Sequence, residues 1–568
     1  MVKRWIYKNI PEQQQIDDLS KSININSHLS SILLQRGIKN YDEAKNFFRP
    51  ALEDLHDPFL MKDMDKAVVR MKAAIDNKEK ILVYGDYDVD GTTSVSLVYS
   101  YLKSFYSFID FYIPDRYAEG YGVSEAGILW AAENNFKLII ALDLGIKASD
   151  MVVLADDHGI DFIICDHHLP DKKIPRAVAV LDPKQDDCHY PFKELSGCGI
   201  GFKLLQAFAR RYADEKVLKD YLDLVVVSIA ADIVPINGEN RILSHFGLKK
   251  LNESPRPGLK ALKEIAGTRN DLDISGVVFT LGPRINAAGR VAHARGAVEL
   301  LNSQTEEEAN AFAEKVNTKN DLRREFDMNI TEEALAMIGG DEVLQKAKST
   351  VLFKNSWHKG VIGIVAARCI EKYYRPTVIL TESNDKITGS ARSVNGFDLY
   401  QAIEKCGDLL EKFGGHKYAA GLTMVPTNLL AFQQRFEEVV SASITEEMLT
   451  PVVEIDLTLN FDSITPKFVS VLRQMAPFGP DNQRPVFESK NVFVLNSLAT
   501  FKDRHLRFLA GQHGNDLFFN AVGFDHIEHY DRLLKGDSFN MVYTIEDNTF
   551  NGNTSVQLRI KDFKFTDK

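Results

Sequence analysis

Between Lys80 and Leu181 four short apolar runs recur: Ile81–Tyr84, Leu138–Leu142, Phe162–Cys165 and Val178–Leu181. Runs this short and this continuous suit strands buried on both faces of a parallel sheet. Helix-like stretches, among them Ser124–Asn134, separate several of them, which indicates an α/β layer fold. The residues that end the runs carry the functional information. Asp86 and Asp88 follow the first run, Asp143 the second, and Asp166, His167 and His168 the third. Ligands of open α/β sheets bind outside the carboxyl ends of the strands. Side chains far apart in sequence are therefore expected to converge on one edge.

The first of these motifs, Gly85-Asp86-Tyr87-Asp88-Val89-Asp90-Gly91, alternates three aspartates directly after a buried strand. Their repulsion is costly unless cations neutralise it. A solvated Asp/Gly turn, a helix cap at Asp143 and a structural His-His pair are the plain readings of the motifs taken singly. Asp232, in Ile229-Ala-Ala-Asp-Ile-Val-Pro235, lies between apolar stretches where an unpartnered carboxylate is expensive to bury. Taken together, the set supplies oxygen and imidazole donors suited to Mn²⁺ or Mg²⁺.

The rest of the chain is organised around this core. A length of 568 residues suggests three or four domains. Residues 1–60 read as a helical N-terminal extension, 61–250 as the catalytic domain, and 251–345 as a further extension with a connecting helix. That helix is expected over Ser303–Ile338, with Ser303 and Glu306 as a capping box. Residues 346–445 form a second α/β unit, and 446–568, rich in short strand-like pieces, a small β domain. The five cysteines form no CxxC pair, which argues for reduced thiols in the cytoplasm and against structural zinc. No apolar run is long enough for a membrane span, and Met1–Asn9 lacks the apolar stretch of a signal peptide. The formal net charge of −11 counts mildly against nucleic acid as a partner, although it does not describe a local groove.

GDYDVDG, ALDLG, DHH and AADIVP resemble the successive motifs of the DHH phosphoesterase superfamily. The resemblance implies metal ligation by Asp86, Asp88, Asp143, His167 and Asp232, with Asp143 bridging two ions. It also implies His168 facing the scissile phosphate, and Asp90 and Asp166 in supporting positions. Family II pyrophosphatases carry a histidine four residues before the first motif aspartate; Leu82 stands there in this chain, which weakens that reading. Two neighbouring divalent ions suit phosphodiester hydrolysis by water without a covalent intermediate.

Further motifs resemble the RecJ family within that superfamily. Ile113-Pro-Asp-Arg-Tyr-Ala-Glu-Gly-Tyr-Gly122 places Tyr121 as a nucleotide contact, and Leu281-Gly-Pro-Arg-Ile-Asn-Ala-Ala-Gly-Arg290 places Arg284, Asn286 and Arg290 at the substrate. Guanidinium groups can grip phosphate oxygens in pairs. In the second α/β unit, Trp357–Gly363, Gly389–Ser393 and Phe413–Gly421 resemble the DHH-associated domain, which implies substrate contacts from His358, Ser390, Arg392, Gly415 and His416. Pro477–Phe487 and Phe501-Lys-Asp-Arg-His-Leu-Arg-Phe508 resemble the RecJ OB-like domain. There Lys502, Arg504 and Arg507 would track the backbone, while Phe501 and Phe508 would stack on bases. Truncation near Thr450 is then expected to leave the metal chemistry intact. Arg36-Gly-Ile38 and Leu55-His-Asp-Pro58 extend the resemblance almost to the start.

The family implies a single-strand-specific 5′→3′ exodeoxyribonuclease that releases mononucleotides in DNA repair and recombination. It further implies a cytoplasmic, monomeric chain, with a single-strand-binding protein and a RecQ-type helicase as protein partners. Two alternatives are a phosphodiesterase of nanoRNA or cyclic dinucleotides, and a DNA-binding replication factor that has lost activity. Residues 452–568 count against the first, and the retention of every matched metal ligand counts against the second.

Overall fold

The computed structural model describes residues 2–268, 270–291, 293–550 and 553–566. The chain divides into two compact units. One comprises Lys45–Arg323 with Ala476–Gln483; the other comprises Met1–Ala44, Arg324–Met475 and Arg484–Lys568.

The first unit is built on a five-stranded parallel sheet in the order Ile109–Tyr112, Lys80–Gly85, Phe136–Leu142, Asp161–Cys165, Ala179–Leu181. Its strands are buried on both faces because successive residues feed two cores. Ile81, Val83, Leu138, Ile140 and Ile163 pack with the helices Val89–Lys103, Gly197–Tyr212 and Leu222–Ala231. Leu82, Tyr84, Ile139, Phe162 and Ile164 pack with Glu125–Glu133 and Ser149–Asp157. All four apolar runs are strands. The fifth strand, Ile109–Tyr112, lies at the sheet edge and alternates buried with half-buried residues, so it gives no continuous apolar run.

The connecting helix is Glu306–Gly339. Its cap differs from the expected one: Thr305 Oγ1 accepts from Glu308 N–H at 3.2 Å, whereas Ser303 Oγ donates to the Glu299 carbonyl at 3.1 Å. The cap thus lies two residues later, because Ser303 is occupied by the end of the preceding helix.

In the second unit the sheet order is Lys412–His416, Ala419–Met424, Lys386–Arg392, Thr377–Ser383, Thr350–Phe353. Only the Thr350–Phe353 and Thr377–Ser383 pair is parallel. The C-terminal strands Val486–Phe501, His505–Gln512, Phe518–Gly523, Asn553–Phe565 and Phe539–Phe550 close into a barrel, because Val486–Phe501 also pairs with Phe539–Phe550. Closure removes exposed sheet edges.

Two boundaries differ from the sequence reading. The N-terminal extension is not purely helical: Arg4–Tyr7 is a strand that pairs in parallel with Val452–Ile455. Ala476–Gln483 belongs with the catalytic unit instead of the β domain. Arg241 binds the Ala476 carbonyl at 2.9 Å, and Ile236 N–H binds the Pro480 carbonyl at 2.8 Å. A truncation at Thr450 would therefore strip a segment from the catalytic unit, and it is no clean removal of the barrel.

Candidate metal centre and phosphate contacts

The strand ends of the first unit place Asp86, Asp143, Asp166 and His167 in a buried cluster. Asp88 caps the helix Val89–Lys103, accepting from Gly91 N–H at 3.0 Å. Gly91 is required there, since a Cβ would lie 2.4 Å from the Asp86 carbonyl oxygen. Asp143 follows its strand at φ 61°, in the left-handed region that aspartate and asparagine tolerate better than most residues. Gly197 packs directly on it: a Cβ at that position would stand 2.6 Å from the Asp143 Cβ. Asp232 arrives differently, as the C-cap of the apolar helix Leu222–Ala231. A carboxylate at the carbonyl end of a helix is opposed by the helix dipole.

His167 Nε2 lies 3.2 Å from Asp143 Oδ1, 3.6 Å from Asp232 Oδ2 and 3.8 Å from Asp90 Oδ2. Two triads with metal-ligand spacing result, Asp143–His167–His168 and Asp90–His167–Asp232. Asp86 and Asp88 stand beside them; burial raises both carboxyl pKa values, and neighbouring aspartate charges raise them further. Burial, and then the charges of neighbouring aspartates, push Asp86, Asp143 and Asp232 well above the usual carboxylate range. Like charges about 4 Å apart repel by about 4 kcal/mol at an effective dielectric of about 20.

Asp86 Oδ1, Asp143 Oδ1 and both ring nitrogens of His167 are buried without a hydrogen-bond partner among the described residues. Orphaned oxygens and an orphaned imidazole that converge in this way fit divalent cations. Asp86, Asp143 and His167 carry these atoms, and His168, Asp90 and Asp232 lie at ligand spacing around His167.

Two aspartates serve as braces. Asp90 accepts from Gly197 N–H at 2.7 Å, Cys198 N–H at 2.8 Å and Ser228 Oγ at 2.7 Å, so its oxygens are engaged at the start of the helix Gly197–Tyr212. Asp166 accepts from the backbone N–H groups of Ile146, His167 and His168 and from His168 Nδ1, the last at 2.7 Å. Burial opposes ionisation of Asp166, but these donors hold its pKa at about 2. Burial likewise disfavours the His168 cation, and the hydrogen bond and charge of Asp166 override it, raising His168 to about 9. Asp166 therefore favours the protonated form of His168. Its Nε2 is 3.3 Å from the hydroxyl of exposed Tyr121.

The helix Gly282–Val291 reaches the same loop. Gly289 has no space for a side chain, because a Cβ would meet the Tyr87 carbonyl oxygen at 2.6 Å. This close approach brings half-buried Arg290 near enough for its charge to act on Tyr87, and Asn286, one turn earlier, is half-buried too. Arg284 is anchored instead, its Nε donating to Asn317 at 3.0 Å and an Nη to the Thr280 carbonyl at 2.7 Å. Sequence reasoning missed Arg116, whose guanidinium lies 5.0 Å from the Tyr87 ring centre and whose charge acts on Asp86. It also missed Asp182, raised to about 7 chiefly by burial. Asp182 ends the fourth apolar run, so the strand-end rule that found the others would have found it.

In the second unit, a Cβ on Gly363 would lie 2.8 Å from both Ser390 Oγ and an Arg392 Nη. Ser390, Arg392 and the N-terminal turn of the helix Ile362–Lys372 thus share one spot, with donors suited to a phosphate. His358 stacks on Phe326 at 4.7 Å, its Nδ1 accepting from Gly360 N–H at 3.1 Å. Gly415 sits at φ 145° in an exposed hairpin, where a Cβ would meet the Ala419 carbonyl oxygen at 2.3 Å. His416 is exposed beside it.

In the barrel, Lys502, Arg504 and Arg507 are exposed. Arg504 pairs with Asp525 at 3.2 Å. Phe501 is half-buried against His505 and Phe524. Phe508 corrects its sequence assignment: it is 3% exposed and packs on Phe539 and Phe563, so its ring belongs to the barrel core and is unavailable to a base.

A parallel sheet with metal-ligand carboxylates and histidines at its strand ends, accompanied by a second α/β domain, defines a metallophosphoesterase of the DHH class. Residues 80–229 match the DHH family N-terminal domain, 345–442 the DHHA1 domain and 455–562 the RecJ OB domain. The single-stranded-DNA-specific exonuclease RecJ of Bacillus subtilis (strain 168) is 36% identical over 98% of this chain and 70% of that protein. Its counterpart in Escherichia coli (strain K12) is 33% identical over 94% of this chain and 95% of that protein. The structure of RecJ from Thermus thermophilus in complex with Mn²⁺ covers all of this chain and 80% of that one, at a TM-score of 0.83 and 24% identity. A manganese-bound exonuclease RecJ structure is 30% identical, at a TM-score of 0.60 over 70% of this chain and 98% of that one. The chain belongs to the RecJ family.

Proposed function

We infer that the chain is a metal-dependent, single-stranded-DNA-specific exonuclease that hydrolyses phosphodiester bonds from the 5′ end to 5′-mononucleotides, in DNA repair and recombination. The observation that carries this reading is the buried convergence of Asp86 Oδ1, Asp143 Oδ1 and the His167 ring nitrogens, which have no hydrogen-bond partner among the described residues. Relatives named as such exonucleases supply the substrate class. Two bound divalent cations, Mn²⁺ or Mg²⁺, would acidify water and stabilise charge on both the attacking and leaving oxygens.

The chain's own residues do the rest. Asp86, Asp88, Asp143, His167 and Asp232 form the ligand set. Asp90 fixes the start of the helix that carries Gly197 against Asp143. Asp166 orients His168 and favours its protonated form, which can offer an N–H to a phosphate oxygen. Tyr121, Asn286 and Arg290 contact the nucleotide. Arg284, held by Asn317 and the Thr280 carbonyl, stiffens the Gly282–Val291 helix and places its positive charge at the substrate.

In the second unit, Ser390, Arg392 and the Ile362–Lys372 helix terminus bind a phosphate, with His358, Gly415 and His416 lining the strand's path. Lys502, Arg507 and Phe501 hold the strand further along, and Arg504 contributes less because Asp525 already pairs with it. No helix among the described residues is long and apolar enough to cross a membrane. All five cysteines are buried and unpaired, which suits a cytoplasmic site of action. The chain acts as a monomer, with a single-strand-binding protein and a RecQ-type helicase as partners.

Digestion of long single-stranded DNA, duplex DNA and dinucleotides, with Mn²⁺ or with EDTA, tests the reading. Single strands should be degraded only with Mn²⁺, and duplex should resist. Hydrolysis of dinucleotides with none of long strands would contradict it.

A further inference from the structure

A second cluster of donors lies in the other unit, on the turn that follows the barrel strand Phe518–Gly523. We propose that His526, Glu528 and His529 form a metal site for Zn²⁺, or a cation of the same borderline class, distinct from the catalytic carboxylates.

Three observations carry this. The ligand atoms of the three side chains all lie within 4.8 Å of one another. A tetrahedral ion with bonds of about 2.0–2.1 Å needs its donors roughly 3.4 Å apart, within reach of small rotations. Second, His526 is 6% exposed and its Nδ1 is buried with no hydrogen-bond partner among the described residues. Buried polar atoms are nearly always satisfied, so this one points to a ligand. Third, neighbouring groups hold the imidazoles while leaving the donors free. His526 and His529 both pack on Phe563, at 5.3 and 5.2 Å between ring centres. Glu528, among the described residues, pairs only with His529, at 3.9 Å.

Four other charged groups nearby are already engaged. Asp525 pairs with Arg504, and Asp562 accepts from Trp5 Nε1 at 2.6 Å. Lys3 donates to the Lys561 carbonyl at 2.7 Å, and the Lys564 ammonium sits 4.2 Å from the Trp5 ring centre. These two lysines are held by other groups, and the Lys3 charge acts on His526 from its place beside the Lys561 carbonyl. The residues border a cavity of about 830 Å³, with room for water at a fourth coordination position. Two imidazoles with one carboxylate favour Zn²⁺, whereas the carboxylate-rich catalytic set favours Mn²⁺ or Mg²⁺. An ion here would tie the turn after Phe518–Gly523 to the start of the helix Tyr530–Leu534.

The test uses the untagged full chain carrying Asp143→Asn and Asp232→Asn, which weakens metal binding at the catalytic centre. Co²⁺ is titrated and followed by its visible absorption, then displaced with Zn²⁺. One equivalent with a tetrahedral spectrum is expected. Glu528→Gln, on an exposed side chain, and His529→Gln should each weaken Co²⁺ at least tenfold while the circular dichroism spectrum stays unchanged. Absence of Co²⁺ binding in this background, or affinity undiminished in both further variants, overturns the proposal.

Discussion

In the catalytic unit Asp86, Asp90, Asp143 and His167 are buried at the strand ends, while in the barrel Lys502, Arg504 and Arg507 stand exposed at and beside the Phe501–His505 turn. The first region is held by braces: Asp90 at a helix start, Asp166 on His168, Gly197 against Asp143. The barrel region has a tight turn, with Lys502 and Asp503 at φ 49° and 56°, the Phe501 ring against His505 and Phe524, and a surface ion pair between Arg504 and Asp525. A site that must fix ions concentrates like charge at the expense of metal-free stability. A site that grips a flexible polyanion spreads single charges over a surface, where each contributes little and is screened by salt.

Asp143→Asn gives the largest contrast. Asparagine keeps the left-handed backbone, so the fold should survive while turnover falls by at least about 1000-fold. The same change removes a repelled buried charge, so the metal-free Tm should rise by about 2–4 °C. Activity assays and calorimetry check both, and a lowered Tm would show that Asp143 is structural.

Phe508→Ala separates core from surface within the barrel. It should destabilise the second unit by about 3–5 kcal/mol, seen as a lower denaturation midpoint. Unchanged stability with weakened binding would restore a stacking role for that ring.

Asp166→Asn leaves the ligand set in place but loosens His168. Turnover should fall by about 10–100-fold with metal affinity within a few-fold of the parent; parent-like turnover would remove His168 orientation from the account.

The smallest effects belong to the barrel surface. Phe501→Ala should weaken binding of long single strands by about 1–3 kcal/mol. Lys502→Ala should reduce the salt slope by about 0.7, and Arg504→Ala by less, owing to Asp525. Equal slopes for all three would mean that the strand does not pass this turn.

The catalytic strands were legible because burial on both faces writes itself as continuous apolar runs, and their ends announced the acidic and histidine set. Ile109–Tyr112 was not, since an edge strand needs apolar residues only at alternate positions. The Ser228 brace on Asp90 could not be read either, for a serine inside an apolar helix has many uses. Phe508 and Phe501 look alike in sequence, and only strand alternation around the turn decides which ring faces inward. The Ala476–Gln483 excursion into the catalytic unit rests on backbone carbonyls accepting from Arg241, a contact that leaves no pattern in residue type.

The buried carboxylate set is expected to serve an exonuclease acting from a free 5′ end. The most direct measurement compares Mn²⁺-dependent digestion of a linear single strand, labelled at either end, with that of a closed circle of the same sequence. Release of the 5′ label first, with the circle intact, is the predicted result; cleavage of the circle at the linear rate would contradict it.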